Sequence, residues 1–162
     1  MRPMRRAERE VTGEEHIRGI LEGCEVLHLG LRDGEEVYVV PVSYGYLYEE
    51  GRCTLYFHGS AQGRKVEVLA WGGNVGFELD RGAELVAAEV ACGHTTRYQS
   101  IVGSGEAQRL VDPEEKRLAL RQIMRHYTGR ENWDFPGAAL EKNAVWAPRA
   151  HWFTAQEMGG KE

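Results

Sequence analysis

Apolar and polar residues alternate with a period of two along most of this chain. Leu27, Leu29 and Leu31 fall on one side of a strand predicted over residues 26–31, and His28 falls on the other. Arg32-Asp33-Gly34 then reads as a hairpin turn, because Asp and Gly tolerate the positive φ such turns need. Residues 37–47 read as one long β-branched and aromatic strand, with Tyr44, Tyr46 and Tyr48 sharing a face. Pro41 inside that strand has no N–H for the ladder, so it marks an edge, a bulge or a place where something else meets the backbone. Further strands are predicted over residues 53–58, 74–79, 85–91, 97–110 and 143–153.

The period changes to that of a helix in three places. Thr12 and Glu15 have capping-box spacing before Ile17, Ile20 and Leu21, which predicts a short helix ending near Gly23. Val66, Leu69 and Ala70 continue a second helix to Trp71, with Gly72-Gly73 stopping it. Asp112-Pro113-Glu114-Glu115 supplies a cap, a proline at the first helical position and acids in the first turn, and starts a third that runs through His126. Residues 133–141 read as irregular or as a short helix. About seven strands joined by short turns, with three helices, predict a mainly β protein with peripheral helices and an antiparallel, closed or sandwiched sheet. Residues 1–11 read as a mobile arm, 12–157 as a single domain and 158–162 as a polar tail.

Composition narrows the function classes. With 42% hydrophobic and 28% charged residues, 162 residues suffice for one packed domain. The net charge of -5 argues against a general nucleic-acid binder. No run approaches the roughly 20 apolar residues of a membrane helix, and no apolar stretch follows the basic start. Cys24, Cys53 and Cys92 are odd in number, far apart and set in apolar stretches, so buried, reduced thiols and a cytoplasmic location are expected. His94 reads as a loop residue, His16, His126 and His151 show no metal-ligand spacing with each other, and no metal site is expected. Ser43, Ser60, Ser100 and Ser104 lack a nucleophile-elbow context. Any chemistry is therefore expected on a bound cofactor.

The sharpest local feature is His58-Gly59-Ser60-Ala61-Gln62-Gly63-Arg64-Lys65 at a strand-to-helix junction. A helix start exposes unpaired N–H groups, Ser60 adds a hydroxyl, and Arg64 and Lys65 bring two positive charges, so an anion such as phosphate suits this loop. It is not a P-loop, because the GxxxxGK[ST] spacing is missing. Gly103-Ser104-Gly105 lies inside a strand, not before a helix, so it is no dinucleotide fingerprint; it marks a bend or the close approach of another backbone.

Taken in order, Arg6-x-x-Arg9-Glu10-Val11, Cys24-Glu25-Val26-Leu27-His28-Leu29-Gly30-Leu31, Tyr38-Val39-Val40-Pro41-Val42-Ser43-Tyr44-Gly45-Tyr46, Leu55-Tyr56-Phe57-His58-Gly59-Ser60-Ala61 with Gly63-Arg64-Lys65, Tyr98 to Gly105, and His126-Tyr127-Thr128-Gly129 form a pattern over nearly the whole chain. It resembles the pyridoxamine 5'-phosphate oxidase-like FMN-binding split-barrel superfamily, and within it the nitroimidazole-resistance group of flavin-dependent nitroreductases. The resemblance implies a six-stranded split β-barrel that forms a homodimer, with FMN held at the subunit interface. It implies that Val39, Val40, Pro41 and Val42 run along the flavin ring and that Phe57 and His58 flank the ring or its ribityl chain. Ser60, Arg64 and Lys65 would hold the phosphate, Gln99 or Ser100 would reach in from the partner subunit, and Trp152 would close the site. A nicotinamide or other donor and a small acceptor are the implied partners. The C-terminal Trp and Arg motif with which the oxidases bind their vitamin B6 substrate is not matched, so that reaction is not expected. A non-catalytic module binding a flavin, a deazaflavin or haem is the alternative.

Overall fold

The computed structural model describes residues 2–70 and 73–159. The expected helix end at Trp71 and Gly72, and the last three residues of the tail, lie outside them. In chain order the elements are β1 (Glu10–Val11), α1 (Glu14–Gly23), β2 (Leu27–Asp33), β3 (Glu36–Val42), β4 (Gly45–Glu49), β5 (Arg52–Ser60), α2 (Arg64–Ala70), β6 (Asn74–Val86), β7 (Thr95–Arg109), α3 (Pro113–Thr128), α4 (Gly137–Lys142) and β8 (Asn143–Met158), with 3-10 turns at Ala7–Arg9 and Ala91–Gly93. All described pairings are antiparallel. The sheet runs β3-β2-β6-β7-β8-β5-β4, and β1 pairs with β8 off this path.

All eight of these strands, with α1 and α2, contribute to one buried cluster that includes Val11, Leu27, Leu29, Leu31, Val42, Tyr44, Tyr46, Tyr48, Leu55, Phe57, Phe77, Ile101, Ala107, Trp146 and Ala155. Strands from both ends of the sheet meet in it, so the sheet curls around its own core, as the expected split barrel requires. A second cluster of Tyr56, Leu120, Ile123, Leu140 and Val145 fills the space under α3 and α4 on the outer side of β5 and β8.

Several expectations are corrected. There are eight strands and four α-helices among the described residues, not seven and three, and the sheet exceeds six strands. The segment expected to be a mobile arm supplies β1, with Glu10 opposite Gln156 and Val11 opposite Ala155. Because Val11 is held in the sheet, the chain turns through Thr12, and Gly13 rather than Thr12 caps α1, without a side-chain bond. The strand expected over residues 37–47 breaks at Ser43-Tyr44. There the Tyr44 N–H donates to Tyr127 Oη at 3.1 Å instead of to a neighbouring strand. The expected strands 74–79 and 85–91 are one strand, ending at Val86; an irregularity between Arg81 and Glu84, where Gly82 takes φ +68°, absorbs the change of register. Cys24 and Cys53 are buried, but Cys92, in the 3-10 turn, is exposed.

The cap on α3 matches its reading: Asp112 accepts from Glu115 N at 3.2 Å, and Gly129 closes the helix at φ +75°. The far end of α3 is latched to the end of α1. Tyr127 Oη donates to Glu25 O at 2.7 Å, and Arg125 reaches Glu22 at 3.3 Å. Tyr44 Oη donates to both Leu21 O and Cys24 O.

His126 completes this latch, with Nε2 2.7 Å from Cys24 O. A carbonyl only accepts, so Nε2 carries the proton, and the buried Nδ1 is left without a partner. Burial pushes its pKa below the usual histidine value, against the raising effects of the Cys24 carbonyl and Glu22. The unfolded chain therefore takes up a proton at a pH where the native state resists it. Stability is complete above about pH 6.5 and is lost as pH falls from there through the lower native value. Urea midpoints at pH 7.5 and 5.5 should show this loss, and His126→Gln should flatten the slope; an unchanged slope would show that the native state accepts the proton freely.

Candidate functional site

Two of the expected parts meet at the tip of the β2–β3 hairpin. β3 is the last strand of the sheet path, so Pro41 sits on an edge, where its missing N–H removes no ladder bond from a further strand. Val39 and Pro41 are exposed on the outer face, while Val40 and Val42 turn inward to the core. Beside the hairpin, Arg64 opens α2. Its guanidinium donates from Nε to Asp33 at 2.7 Å and from an Nη to Glu36, and lies 4.5 Å from the Tyr38 ring. These contacts raise its pKa and tie α2 to the hairpin. The basic start of the helix thus has two anions of its own, in the Arg32-Asp33-Gly34-Glu35-Glu36 turn. That turn is the sequence signal that could have revealed them.

Lys65 is different. It is half-buried, and burial pushes its pKa down. Its Nζ lies 5.6 Å from the centre of the Phe57 ring, on the side of Gly59 where a Cβ would come within 3.2 Å. Among the described residues no carboxylate pairs with it. Phe57 itself is fully buried, stacked on Trp146 with ring centres 5.3 Å apart, so it supports Lys65 from below. His58 points the other way, to the mouth of a cavity of about 150 Å³ lined by Leu120, Ile123, Met124, Phe135 and Asn143. Burial first, and then the Lys65 charge, lower its pKa. Ser60 Oγ accepts from Gln62 N at 3.3 Å, which leaves its O–H able to donate outward.

The remaining site residues lie elsewhere. Gln99 bonds Glu157 at 3.0 Å, and Ser100 is buried; both are in register with Asp80–Arg81 in the middle of β6. That is about 20 Å along the strand from Asn74, the end that follows α2. Trp152 is on the outer face of β8, opposite Ser104. Between it and Val39 the register runs Val39, Gly30, Gly76, Ser104, Trp152. Gly30 and Gly76 leave the middle of this row without side chains, forming a flat floor between two walls.

Residues 13–161 match the family described as pyridoxamine 5'-phosphate oxidase. The chain belongs to the pyridoxamine 5'-phosphate oxidase family. Its fold is similar to that of a candidate 5-nitroimidazole antibiotic resistance protein from Bacteroides thetaiotaomicron, with 30% identity, a TM-score of 0.78 and coverage of 91% of this chain and 86% of that one. The flavocytochrome Anf3 from Azotobacter vinelandii (20% identity, TM-score 0.79, coverage 98% and 73%) shares the fold. So does an FAD and haem binding protein from Mycobacterium smegmatis (17% identity, TM-score 0.81, coverage 94% and 74%). Among curated proteins nothing matches.

For a member of the pyridoxamine 5'-phosphate oxidase family, a flavin phosphate is the group to test against these residues. Lys65 fits it as an ammonium lacking a carboxylate, and Ser60 as a hydroxyl donor. Arg64 fits it only by sharing or releasing Asp33 and Glu36. The side chains of this loop bring the positive charge to it.

Proposed function

We propose that this member of the pyridoxamine 5'-phosphate oxidase family is an FMN-binding oxidoreductase, working as a homodimer and reducing a small acceptor such as a nitroimidazole. The observation that carries the reading is Lys65, a half-buried ammonium without a carboxylate partner among the described residues, beside the Gly59–Gly63 loop. When bound, the flavin supplies the redox chemistry, with a nicotinamide as electron donor. Lys65 and Ser60 hold the phosphate, with Arg64 beside them. The free edge of β3 offers main-chain groups to the ring at Val39–Val42, and the Gly30–Gly76 floor admits a planar group without displacing side chains.

A second copy covers the outer face. Val37 is 81% exposed, Val39 60% and Trp152 39%, with Val102 in the next row, and such a surface is unusual for a lone domain. In the dimer, Gln99 reaches the site from the other subunit, while Ser100 is buried within its own chain. Cys24 and Cys53, buried and with thiols pushed up to about 12 by burial, suit a reducing cytoplasm. Among the described residues no helix is long and apolar enough to cross a membrane.

Purified protein should be yellow, absorbing near about 450 nm as bound flavins do, and native mass spectrometry should show two chains with FMN. A colourless chain that takes up no FMN defeats the reading; a Soret band, or FAD in the spectrum, reassigns the cofactor. Replacing Lys65 by Met should weaken FMN by about 1–3 kcal/mol, roughly 5- to 150-fold in Kd. Fluorescence quenching by the chain reports this directly, and equal affinity for the Lys65→Met variant would remove the phosphate assignment.

A further inference from the structure

The outer face of the sheet brings a histidine together with two carboxylates that lie 50 and 52 residues further along the sequence. His28 on β2 and Glu78 on β6 are register partners, and Asp80 follows Glu78 on the same face of β6. One imidazole nitrogen and one oxygen of each carboxylate lie within 4.8 Å of one another. Ligand atoms around a tetrahedral zinc ion are about 3.3 Å apart, so small rotations of the two acidic side chains close the set. His28 Nδ1 already sits 3.0 Å from Glu78 Oε2.

The local charge calls for a cation. Glu78 is half-buried and shares its face of β6 with Asp80, so two carboxylates stand together beside His28. Among the described residues Asp80 has no ion pair, and Glu78 has only His28. Asp80 and His28 line an open hollow of about 490 Å³, together with Gly23, Glu25, Val26, Arg81 and Gly82. The Arg81 guanidinium lies against Gly23, where a Cβ would clash with it.

We propose that His28, Glu78 and Asp80 bind one divalent transition-metal ion of the zinc class, with its remaining coordination position open to this hollow. The imidazole selects against calcium and magnesium, which take oxygen ligands, and favours ions toward the zinc end of the series. Three protein ligands without thiolate form an open site rather than a closed structural one. Cys24 is buried in the core and does not line this hollow, so it is not a fourth ligand. Water completes the coordination shell until a small oxygen or nitrogen donor replaces it. The site lies one row from the proposed flavin floor, with His28 in register with Pro41 and Glu78 with Val102, but its test uses no flavin.

Isothermal titration of zinc chloride into the full chain, previously stripped with EDTA, tests it. We expect one zinc per chain, bound at least tenfold more weakly by both His28→Ala and Asp80→Asn, with circular dichroism unchanged. Cobalt in place of zinc should give a visible absorption band in the unaltered chain that is absent from Asp80→Asn. Replacing Cys92 by Ser, or His16, which pairs with Glu157 at 2.9 Å, by Ala, should change nothing. No zinc uptake, equal affinity in Asp80→Asn, or binding lost with Cys92 or His16 overturns the proposal. Asp80 is exposed, so its variant keeps the test decisive even where His28→Ala disturbs the fold.

Discussion

Trp146→Ala is expected to lower the unfolding free energy by about 3–5 kcal/mol, the range for deleting a buried Trp or Phe. Trp146 is almost completely buried in β8, between β5 and β7, where it is in register with Phe57 and Arg109. Its ring stacks on Phe57 at an interplanar angle of 13°, and the Arg109 guanidinium lies 5.8 Å from its centre. Truncation therefore leaves a cavity at the place where strands from both ends of the sheet meet, and close packing prevents the neighbours from refilling it. Guanidinium unfolding should show an earlier midpoint with an unchanged slope. A loss under about 1 kcal/mol would mean that the core collapses around the gap. The effect also reaches the candidate site, because Phe57 carries Lys65 above it. An unstacked Phe57 lets Nζ wander, so under the proposed function FMN affinity should fall in parallel with stability. Trp146→Phe, which keeps an aromatic partner for Phe57, should lose less of both.

Elements defined by their own residues were legible in the sequence. Leu27, Leu29 and Leu31 are buried with His28 turned away, as their alternation required. Tyr44, Tyr46 and Tyr48 share a buried face even though the strand around them is broken. The close approach read from Gly103-Ser104-Gly105 is there: a Cβ on Gly105 would sit 2.2 Å from Arg149 O, at a shift in register. What stayed hidden depends on distant partners. The break at Tyr44 needs the hydroxyl of Tyr127, 83 residues on, and β1 forms only because Gln156 and Ala155 are beside it. Likewise, a basic pair invites an anion, but which anion is near is decided by the hairpin that delivers Asp33 and Glu36 to Arg64. The family motif pointed to this loop. Only tertiary geometry separates the two cations, one paired and one without a carboxylate, and only register brings His28 to Glu78 and Asp80.

A single methyl group at Gly45 should be nearly as damaging as the loss of an indole. Gly45 opens β4 with no positive φ, so alanine meets no backbone strain there. The obstacle is space: a Cβ would lie 2.4 Å from both Gln122 C and Ile123 N, main-chain atoms in the middle of α3. A side chain can rotate away from an added methyl, but a helix backbone must move as a body. α3 is held at its far end by Tyr127 on Glu25 O, His126 on Cys24 O and Arg125 on Glu22, and along its length by Ala119, Leu120 and Ile123 in the second core. A retreat large enough to admit the methyl strains the latch or opens that core. Gly45→Ala is therefore expected near the upper end of the overpacking range, about 3 kcal/mol, measurable as a shift in the urea midpoint. Gly19→Ala is the control: Gly19 is mid-helix in α1 with nothing within 4 Å of an added Cβ, and alanine there should stabilise by up to about 1 kcal/mol. If both variants unfold at the same urea concentration, the contact between β4 and α3 is looser than its geometry implies, and α3 is not what fixes the position of β4.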